Sequence, residues 1–123
     1  VIVDPAQGKI IARDGNRPIE LKDPTAHAEI LAIREACRLV DNYRLTGLDL
    51  FVTLEPCTMC VGAISFARMR RLVFAAEDVK GGAVHSGARF FEQPTCHHRP
   101  EIVHGPFAEE ASAMLKNFFA VRR

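Results

Sequence analysis

The spacing of apolar residues in the first part of the chain changes from a period of two to a helical period. Short β-type runs at Val1–Val3 and Ile10–Ala12 flank the turn-forming stretch Asp4–Gly8, which predicts a β-hairpin. A polar loop then opens at Asn16-Arg17-Pro18. From about Ala26 to Val40 the pattern becomes helical. The apolar stripe of this predicted helix consists of Ile30, Ile33, Cys37 and Val40.

The middle of the chain has the pattern of a strand, a helix and a second strand. Leu48–Leu54 is almost continuously apolar, which is typical of a strand covered on both faces. A helix is predicted from Cys57 to about Ala67, and Leu72–Ala75 is predicted as the next strand. Such a βαβ unit has parallel strands and a right-handed crossover. Residues that follow its first strand lie at the carboxyl edge of the sheet, where open α/β sheets place their sites.

The last part of the chain begins with a long connection. Asp78–Pro100 is rich in Gly and Pro, with one helical turn predicted around Ala88–Glu92, and a connection of this length is usually functional or mobile. Glu101–Val103 is a candidate edge strand, and a last helix begins at about Phe107. The apolar side of this helix, which is expected to pack on the sheet, consists of Ala111, Met114, Leu115 and Phe118.

Length and composition limit the classes of protein. With 123 residues, of which 48% are hydrophobic, residues 1–123 are expected to form a single domain without a membrane span. A formal net charge of +1 neither requires nor excludes nucleic acid, so an RNA site must be built from local basic groups. Val1–Val3 resembles a strand cut partway through, without an initiator Met, which indicates that the natural N-terminus has been lost.

Two short stretches together have the chemistry of a catalytic zinc site. His27, Cys57 and Cys60 offer one imidazole and two thiolates, a donor set that suits Zn²⁺ and leaves a fourth coordination position open. The two cysteines are three positions apart and therefore share one face of a helix. His27 and Glu29 converge only near a helix start, for which Asp23-Pro24-Thr25 is an entry signal. Two helix starts that face each other across a metal satisfy both spacings.

The other two cysteines do not require a metal. Cys37 lies on the apolar stripe of a predicted helix, where a buried thiol is the simpler explanation. Cys96-His97-His98 offers ligands for a second metal, but a loop is favoured because adjacent residues chelate poorly. Four cysteines without a secretory signal favour a reducing compartment, the cytoplasm.

These motifs resemble one family closely. His27-Ala28-Glu29 with Pro56-Cys57-Thr58-Met59-Cys60 is typical of zinc nucleobase deaminases, and Asn16-Arg17-Pro18 and Phe118-Phe119 point to the bacterial tRNA-specific adenosine deaminases. The resemblance runs from Val1 to Arg123. It implies the cytidine-deaminase-like fold, an α/β structure with three layers (α/β/α) around a central mixed sheet of about five strands. It also implies one Zn²⁺ per subunit, a homodimer, and a tRNA anticodon stem-loop as partner.

The reaction that the resemblance implies is hydrolytic deamination of the wobble adenosine to inosine. Glu29 would take a proton from a zinc-activated water and later protonate the ring nitrogen and the departing ammonia. Asn16 would bond the base edge, and backbone groups elsewhere would hold the base and the water. The residues expected to bind the substrate are Asn16, Ala28, Leu54, Glu55, Asp78 and Phe119. The residues expected to contact RNA are Tyr43, Arg44, Lys80, His98, Arg99 and Arg122.

Some of these residues also have simpler structural explanations. Asn16 before Arg-Pro is typical of a turn. At least one of Phe118 and Phe119 is expected in the core, because adjacent helical positions face about 100° apart. The sequence departs from the family pattern in the loop Asp78–Pro100, and at Ala120, where a basic residue often stands. Of the functions that the resemblance implies, the recognition of the nucleotides next to the reacting base is therefore the least defined.

Two other functions stay open at this point. A deaminase of free guanine or of a nucleoside would share the zinc ligands and Glu29, and would differ in its loops. A noncatalytic zinc-stabilised RNA-binding subunit would have no need of Glu29. Asn16-Arg17-Pro18 and the basic C-terminus favour tRNA.

Overall fold

The computed structural model describes residues 1–122, except for the side chains of Phe119, Val121 and Arg122. In this part of the chain the strands are β1 (Ile2–Asp4), β2 (Lys9–Ala12), β3 (Asp49–Leu54), β4 (Arg71–Ala76) and β5 (Glu101–His104). The α-helices are α1 (Pro18–Leu21), α2 (Ala28–Val40), α3 (Thr58–Ala67) and α4 (Ala108–Arg122). A 3-10 turn at Phe90–Glu92 lies where one helical turn was predicted. None of the described helices is long and apolar enough to cross a membrane.

The strands form one mixed sheet in the order β2-β1-β3-β4-β5. β1 pairs antiparallel with β2 and with β3, whereas β4 pairs parallel with β3 on one side and with β5 on the other. The predicted hairpin, the predicted βαβ unit and the predicted edge strand are therefore confirmed. Leu50 of β3 pairs with Leu72 of β4, which sets the register of the parallel pair.

Helices α2 and α3 cover one face of the sheet and α4 covers the other. Leu50, Leu72 and Phe74 are fully buried in a core cluster that they share with residues of α2 and α3. Val73 of β4 and Ala111 of α4 are buried outside that cluster. The two groups separate because successive side chains of a strand point to opposite faces. The expected three-layer α/β/α arrangement is confirmed.

The apolar stripes of two helices are narrower than predicted. On α2, Ile33 is buried, but Val40 is 41% exposed and its neighbours Arg38 and Leu39 are exposed as well. On α4, Ala111 is buried, whereas Met114 and Phe118 are 54% and 46% exposed. Val40, Met114 and Phe118 are thus covered only in part, because a helix lying on one side of a sheet buries only a narrow stripe. The expectation that at least one of Phe118 and Phe119 is in the core stays a prediction, since the Phe119 side chain is outside the described part of the chain.

The short helix α1 replaces part of the predicted polar loop. Pro18 occupies its first position, where the missing N–H costs nothing. Lys22 ends it in the left-handed conformation, with φ of 51°. A four-residue helix is too short for apolar periodicity to predict.

A buried carboxylate ties β3 to the start of β4. Asp49 is 1% exposed and accepts two hydrogen bonds from Arg70, from Nε at 2.9 Å and from Nη2 at 2.6 Å. Arg71 Nη2 lies 3.2 Å from the same carboxylate. Two guanidinium groups therefore neutralise the buried charge of Asp49. Without these partners, the buried carboxylate would strongly destabilise the fold.

Candidate active site and metal centre

Two helix N-termini meet next to the carboxyl edge of the sheet. His27 is the N-cap residue of α2 and Cys57 is the N-cap residue of α3, both with extended backbone. Cys60 follows in the first turn of α3 and is fully buried. The two helix starts face each other, as the spacing of these residues predicts.

The distances between the three donor atoms fit a tetrahedral zinc ion. His27 Nδ1 lies 3.5 Å from Cys57 Sγ and 3.6 Å from Cys60 Sγ. Zinc bonds of about 2.3 Å to sulfur and about 2.0 Å to nitrogen, at tetrahedral angles, separate those atoms by about 3.5 Å. Among the described residues this group contains no fourth protein ligand. The coordination position that a catalytic zinc gives to water is therefore available.

The groups around Cys60 favour the binding of a cation. Burial raises the pKa of the Cys60 thiol, and the negative charges of Glu29 and Cys57 add to the rise. A metal ion between these groups reverses the effect, because a coordinated thiol loses its proton. Glu29 lies in the first turn of α2, close enough to influence Cys60 but outside the ligand group. It is thus placed to act on whatever occupies the open coordination position.

The carboxylate of Glu55 organises the loop that follows β4. Glu55 is 2% exposed, and at 2.9–3.0 Å it accepts hydrogen bonds from four backbone N–H groups and one hydroxyl. Burial alone would raise the pKa of Glu55, but these hydrogen bonds hold the pKa below its usual value. The donors are the N–H groups of Asp78, Val84, His85 and Ser86, and the Ser86 hydroxyl.

The loop passes so close to Glu55 that a glycine is required at position 82. A Cβ atom on Gly82 would lie 2.4 Å from Cδ of Glu55 and 2.6 Å from the carbonyl oxygen of Asp78. The N–H of Ala83 donates to the carbonyl oxygen of Pro56, beside Cys57 of the candidate donor group. The loop is thus attached to the segment that carries the metal ligand.

Asn16 is held near the metal centre by its neighbour. The N–H of Arg17 donates to the carbonyl oxygen of Ala26 at 2.9 Å, which joins the Asn16 segment to the residue before His27. Asn16 is exposed, and nothing in the described part of the chain binds its side-chain amide. The amide is therefore available to a ligand.

The other expected substrate-binding residues are only partly brought together. Leu54 and Asp78 line a groove of about 450 Å³ between the sheet edge and α4. None of His27, Cys57 and Cys60 lines this groove, so the groove does not contain the metal centre. Ala28 is the first residue of α2, where an N–H has no partner within the helix. The side chain of Phe119 is outside the described part of the chain.

The expected RNA-contacting residues fall into different environments. Tyr43 and Arg44 form an exposed pair, with Arg44 Nε donating to the Tyr43 hydroxyl at 3.1 Å. They follow the 13-residue helix α2, so they lie about 20 Å from His27 at its other end. Lys80 and Arg99 are exposed. The side chain of Arg122 is not among those described.

His98 has a structural partner that sequence reasoning did not foresee. Its Nε2 donates to the carbonyl oxygen of Met69 at 2.8 Å, and its backbone N–H donates to the Ser65 hydroxyl at 3.1 Å. The expected RNA contact therefore cannot use Nε2 of His98 while this bond is intact. Cys96 donates to the carbonyl oxygen of His98 at 3.2 Å, and Cys96-His97-His98 forms no metal-ligand group in the described chain. These three residues lie in a loop, as predicted.

Cys37 behaves as a partly buried thiol. It packs against the core cluster, and its thiol donates to the carbonyl oxygen of Tyr43 at 3.6 Å. Burial raises the pKa of Cys37, which keeps the thiol protonated and unreactive.

The sequence around the metal centre matches a known family of zinc-binding proteins. The family model of the cytidine and deoxycytidylate deaminase zinc-binding region matches residues 1–76, which include the three zinc ligands and Glu29. The fold and site are therefore those of a zinc-dependent deaminase. A tRNA-specific adenosine deaminase from Agrobacterium fabrum is 59% identical over 116 residues, covering 94% of this chain and 76% of that protein. The chain belongs to the tRNA-specific adenosine deaminases.

Solved structures agree with this assignment. A structure from a study of A-to-I editing by tRNA:A34 deaminases at the wobble position is 58% identical, with a TM-score of 0.89, and covers 93% of this chain and 81% of that chain. The guanine deaminase from Nitrosomonas europaea is 25% identical, with a TM-score of 0.80, and covers 97% of this chain and 70% of that chain. The sheet and helices are common to both, whereas the sequence is much closer to the tRNA enzyme.

Proposed function

We propose that this chain converts adenosine to inosine at the wobble position of a tRNA anticodon by zinc-dependent hydrolysis. The observation that carries this proposal is the high identity to tRNA-specific adenosine deaminases along nearly the whole chain, combined with a donor group spaced for zinc beside Glu29. The reaction consumes water: a C6–O bond forms, the C6–N bond to the amine breaks, and ammonia leaves.

The chain supplies proton transfer and positioning. His27, Cys57 and Cys60 would hold the zinc ion, which would supply the activation of the attacking water. Glu29 would accept one proton of the attacking water and deliver it to the purine ring nitrogen, and would then pass the proton of the new C6 hydroxyl group to the leaving amine. Glu29 lies in the first turn of α2, two residues after the N-cap residue His27, which places its carboxylate next to the metal donors.

Groups around the metal centre are suited to hold the base. The Asn16 side-chain amide offers both a donor and an acceptor to a purine edge. The N–H of Ala28, unpaired within its helix, is a further donor. Leu54 and Glu55 contribute backbone groups at the end of β3, although the Glu55 N–H already donates to Ala76. We assign the side chain of Asp78 to the wall of the substrate site.

The RNA outside the reacting base would meet residues farther from zinc. The Tyr43–Arg44 pair combines an aromatic ring with a guanidinium group 5.5 Å from the ring centroid, an arrangement on which an unpaired base can stack. Lys80, Arg99 and Arg122 would neutralise phosphates. An anticodon loop is a suitable substrate because a loop base is extruded at lower cost than a paired one. Free thiols and a tRNA substrate together support a cytoplasmic location.

The zinc-loaded protein should produce inosine and ammonia from an anticodon stem-loop with adenosine at the wobble position. A stem-loop with guanosine at that position is the matched control and should release no ammonia. Free guanine, adenosine and cytidine are assayed in parallel. Ammonia from free guanine alone would assign the chemistry to the guanine deaminase branch. No ammonia from any substrate, with zinc bound, would mean that the chain is a noncatalytic subunit.

We also propose that the chain works as a homodimer that buries the outer side of α3. This helix is apolar on nearly all sides, yet Met59 and Phe66 are 36% and 64% exposed. A helix that is apolar all round is normally covered, and self-association would cover this one. His97 lies beside Phe66, with ring centroids 5.5 Å apart, and would extend the interface.

Phe66→Glu should shift the protein from dimer to monomer in sedimentation velocity, because a carboxylate in an apolar interface is left unpaired. Ile19→Glu is the matched control. Ile19 is also an exposed apolar residue, but it lies on α1, so this variant should stay dimeric. A wild-type monomer at micromolar concentration, or a dimeric Phe66→Glu variant, would contradict the proposed interface.

A further inference from the structure

A second group of metal-ligating side chains lies outside the catalytic centre. Glu77 directly follows β4, His85 belongs to the loop that Glu55 organises, and His104 ends β5. One ligand atom from each of the three lies within 4.8 Å of the other two. His104 Nδ1 is 3.6 Å from Glu77 Oε1. Three separate elements therefore bring two imidazoles and a carboxylate to one point.

The two imidazole rings are held in place by a buried aromatic residue. The His104 ring stacks on Phe74, with centroids 4.6 Å apart and an interplanar angle of 16°. The His85 ring meets Phe74 edge-on at 5.4 Å and His104 at 5.5 Å. Phe74 is fully buried in the core. The rings therefore rest on a rigid base, which reduces the entropy that a metal must remove when it binds.

The chemistry of the group selects a zinc-type ion. Two imidazoles and one carboxylate suit Zn²⁺ and its neighbours Co²⁺ and Ni²⁺, whereas Mg²⁺ and Ca²⁺ prefer oxygen ligands alone. All three residues are exposed, and a groove of about 580 Å³ beside Glu77 and His104 gives solvent access. Glu109 and Lys116 line the same groove and contribute opposite charges.

We propose that Glu77, His85 and His104 form a second Zn²⁺-binding site that joins the loop after β4 to the end of β5. The site leaves one coordination position to water. Its effect follows from the place of His85, whose backbone N–H donates to Glu55 at 2.9 Å. A metal on the His85 ring therefore fixes the loop from its outer side, while Glu55 fixes it from within.

The test is the zinc content of the purified protein after equilibration with micromolar free zinc. The wild type should hold about two equivalents, and His104→Phe about one, because this change keeps a ring on Phe74 and removes the ligand. His85→Asn should also fall to about one equivalent. His97→Ala is the matched control: His97 is an exposed histidine outside the group, and its loss should leave zinc content unchanged.

Cobalt substitution separates the two sites by their spectra. The catalytic site should show thiolate charge-transfer absorption, and filling of the second site should add only weak bands that lack it, because no sulfur ligates there. Zinc at the second site should also slow amide hydrogen exchange in residues 78–86 of the wild type and not of His104→Phe. A wild type that saturates at one equivalent, or a His104→Phe variant that still binds two, would overturn the proposal.

Discussion

Replacing Glu29 with glutamine should lower the single-turnover rate of adenosine deamination by a factor of about 10³ while leaving the zinc content unchanged. The amide of glutamine has the size of the carboxylate but cannot accept the proton of the attacking water or return it to ammonia. Glu29 lies beside the ligand group without belonging to it, so the metal should stay bound. The rate is measured as inosine formed in a stem-loop, and zinc is measured in the same sample.

Glu35→Gln is the control for the Glu29 variant. Glu35 lies on the same helix and pairs with Arg38 on the surface, at 2.6 Å. Its loss should leave both the rate and the zinc content near wild type, because exposed ion pairs contribute little. A Glu29→Gln enzyme with near wild-type activity would refute the assignment of proton transfer to Glu29. Loss of zinc from that variant would mean that Glu29 is a ligand and not a base.

Removing the Glu55 carboxylate should produce the largest loss of stability of any single substitution considered for this chain. Glu55→Ala leaves four backbone N–H groups and the Ser86 hydroxyl without their acceptor. Each unsatisfied buried donor costs about 1–3 kcal/mol, and water entering the space offsets part of the total. The free energy of unfolding should therefore fall by roughly 3–5 kcal/mol in urea denaturation of the zinc-loaded protein.

The contribution of Glu55 should also depend on pH in a definite direction. The folded state holds the pKa of Glu55 below its usual value of 4.5, so the unfolded chain takes up the proton first as the pH falls. The stabilisation is therefore fully present above about pH 4.5 and is lost as the pH falls through the folded value. The stability difference between wild type and Glu55→Gln should shrink in that range. Loss of zinc in acid affects both proteins and cancels in the difference.

Glu92→Gln provides the comparison for Glu55. Glu92 pairs with Arg89 on the surface, and both side chains are more than half exposed. This variant should match the wild type in urea, because solvent screens the pair. A Glu55→Ala protein as stable as Glu92→Gln would show that the loop does not depend on the buried carboxylate.

The two halves of the metal centre could be predicted from the sequence because each half has a local spacing, and the chemistry of the combined donor set indicated that the halves meet. Cys57 and Cys60 are three positions apart at a helix start, and His27 and Glu29 are two apart at another. Local spacing at a helix start determines both arrangements. The hairpin and the βαβ unit were predictable for the same reason, since each is formed by neighbouring segments of the chain.

The role of the Glu55 side chain could not be predicted in the same way. Its hydrogen-bond donors lie 23 to 31 residues further along the chain, in a loop without periodicity. In the sequence, Glu55 is a charged residue directly after an apolar strand. That position is as typical of a substrate contact as of a structural carboxylate. The hydrogen bond from His98 to Met69 spans 29 residues, so local sequence patterns do not predict it either. Sequence patterns describe neighbours, whereas these contacts depend on how distant loops return to the sheet.

The position of the zinc ligands at two helix starts has a mechanical consequence. One ligand comes from α2 and two from the N-terminus of α3, and the two helices also contact each other. A change in the packing of α2 on α3 changes the distances between the ligands. The free energy of zinc binding and the free energy of helix packing are therefore coupled. The zinc dissociation constant therefore reports on core packing. A core substitution that leaves a cavity between α2 and α3, even far from the metal, should speed zinc release.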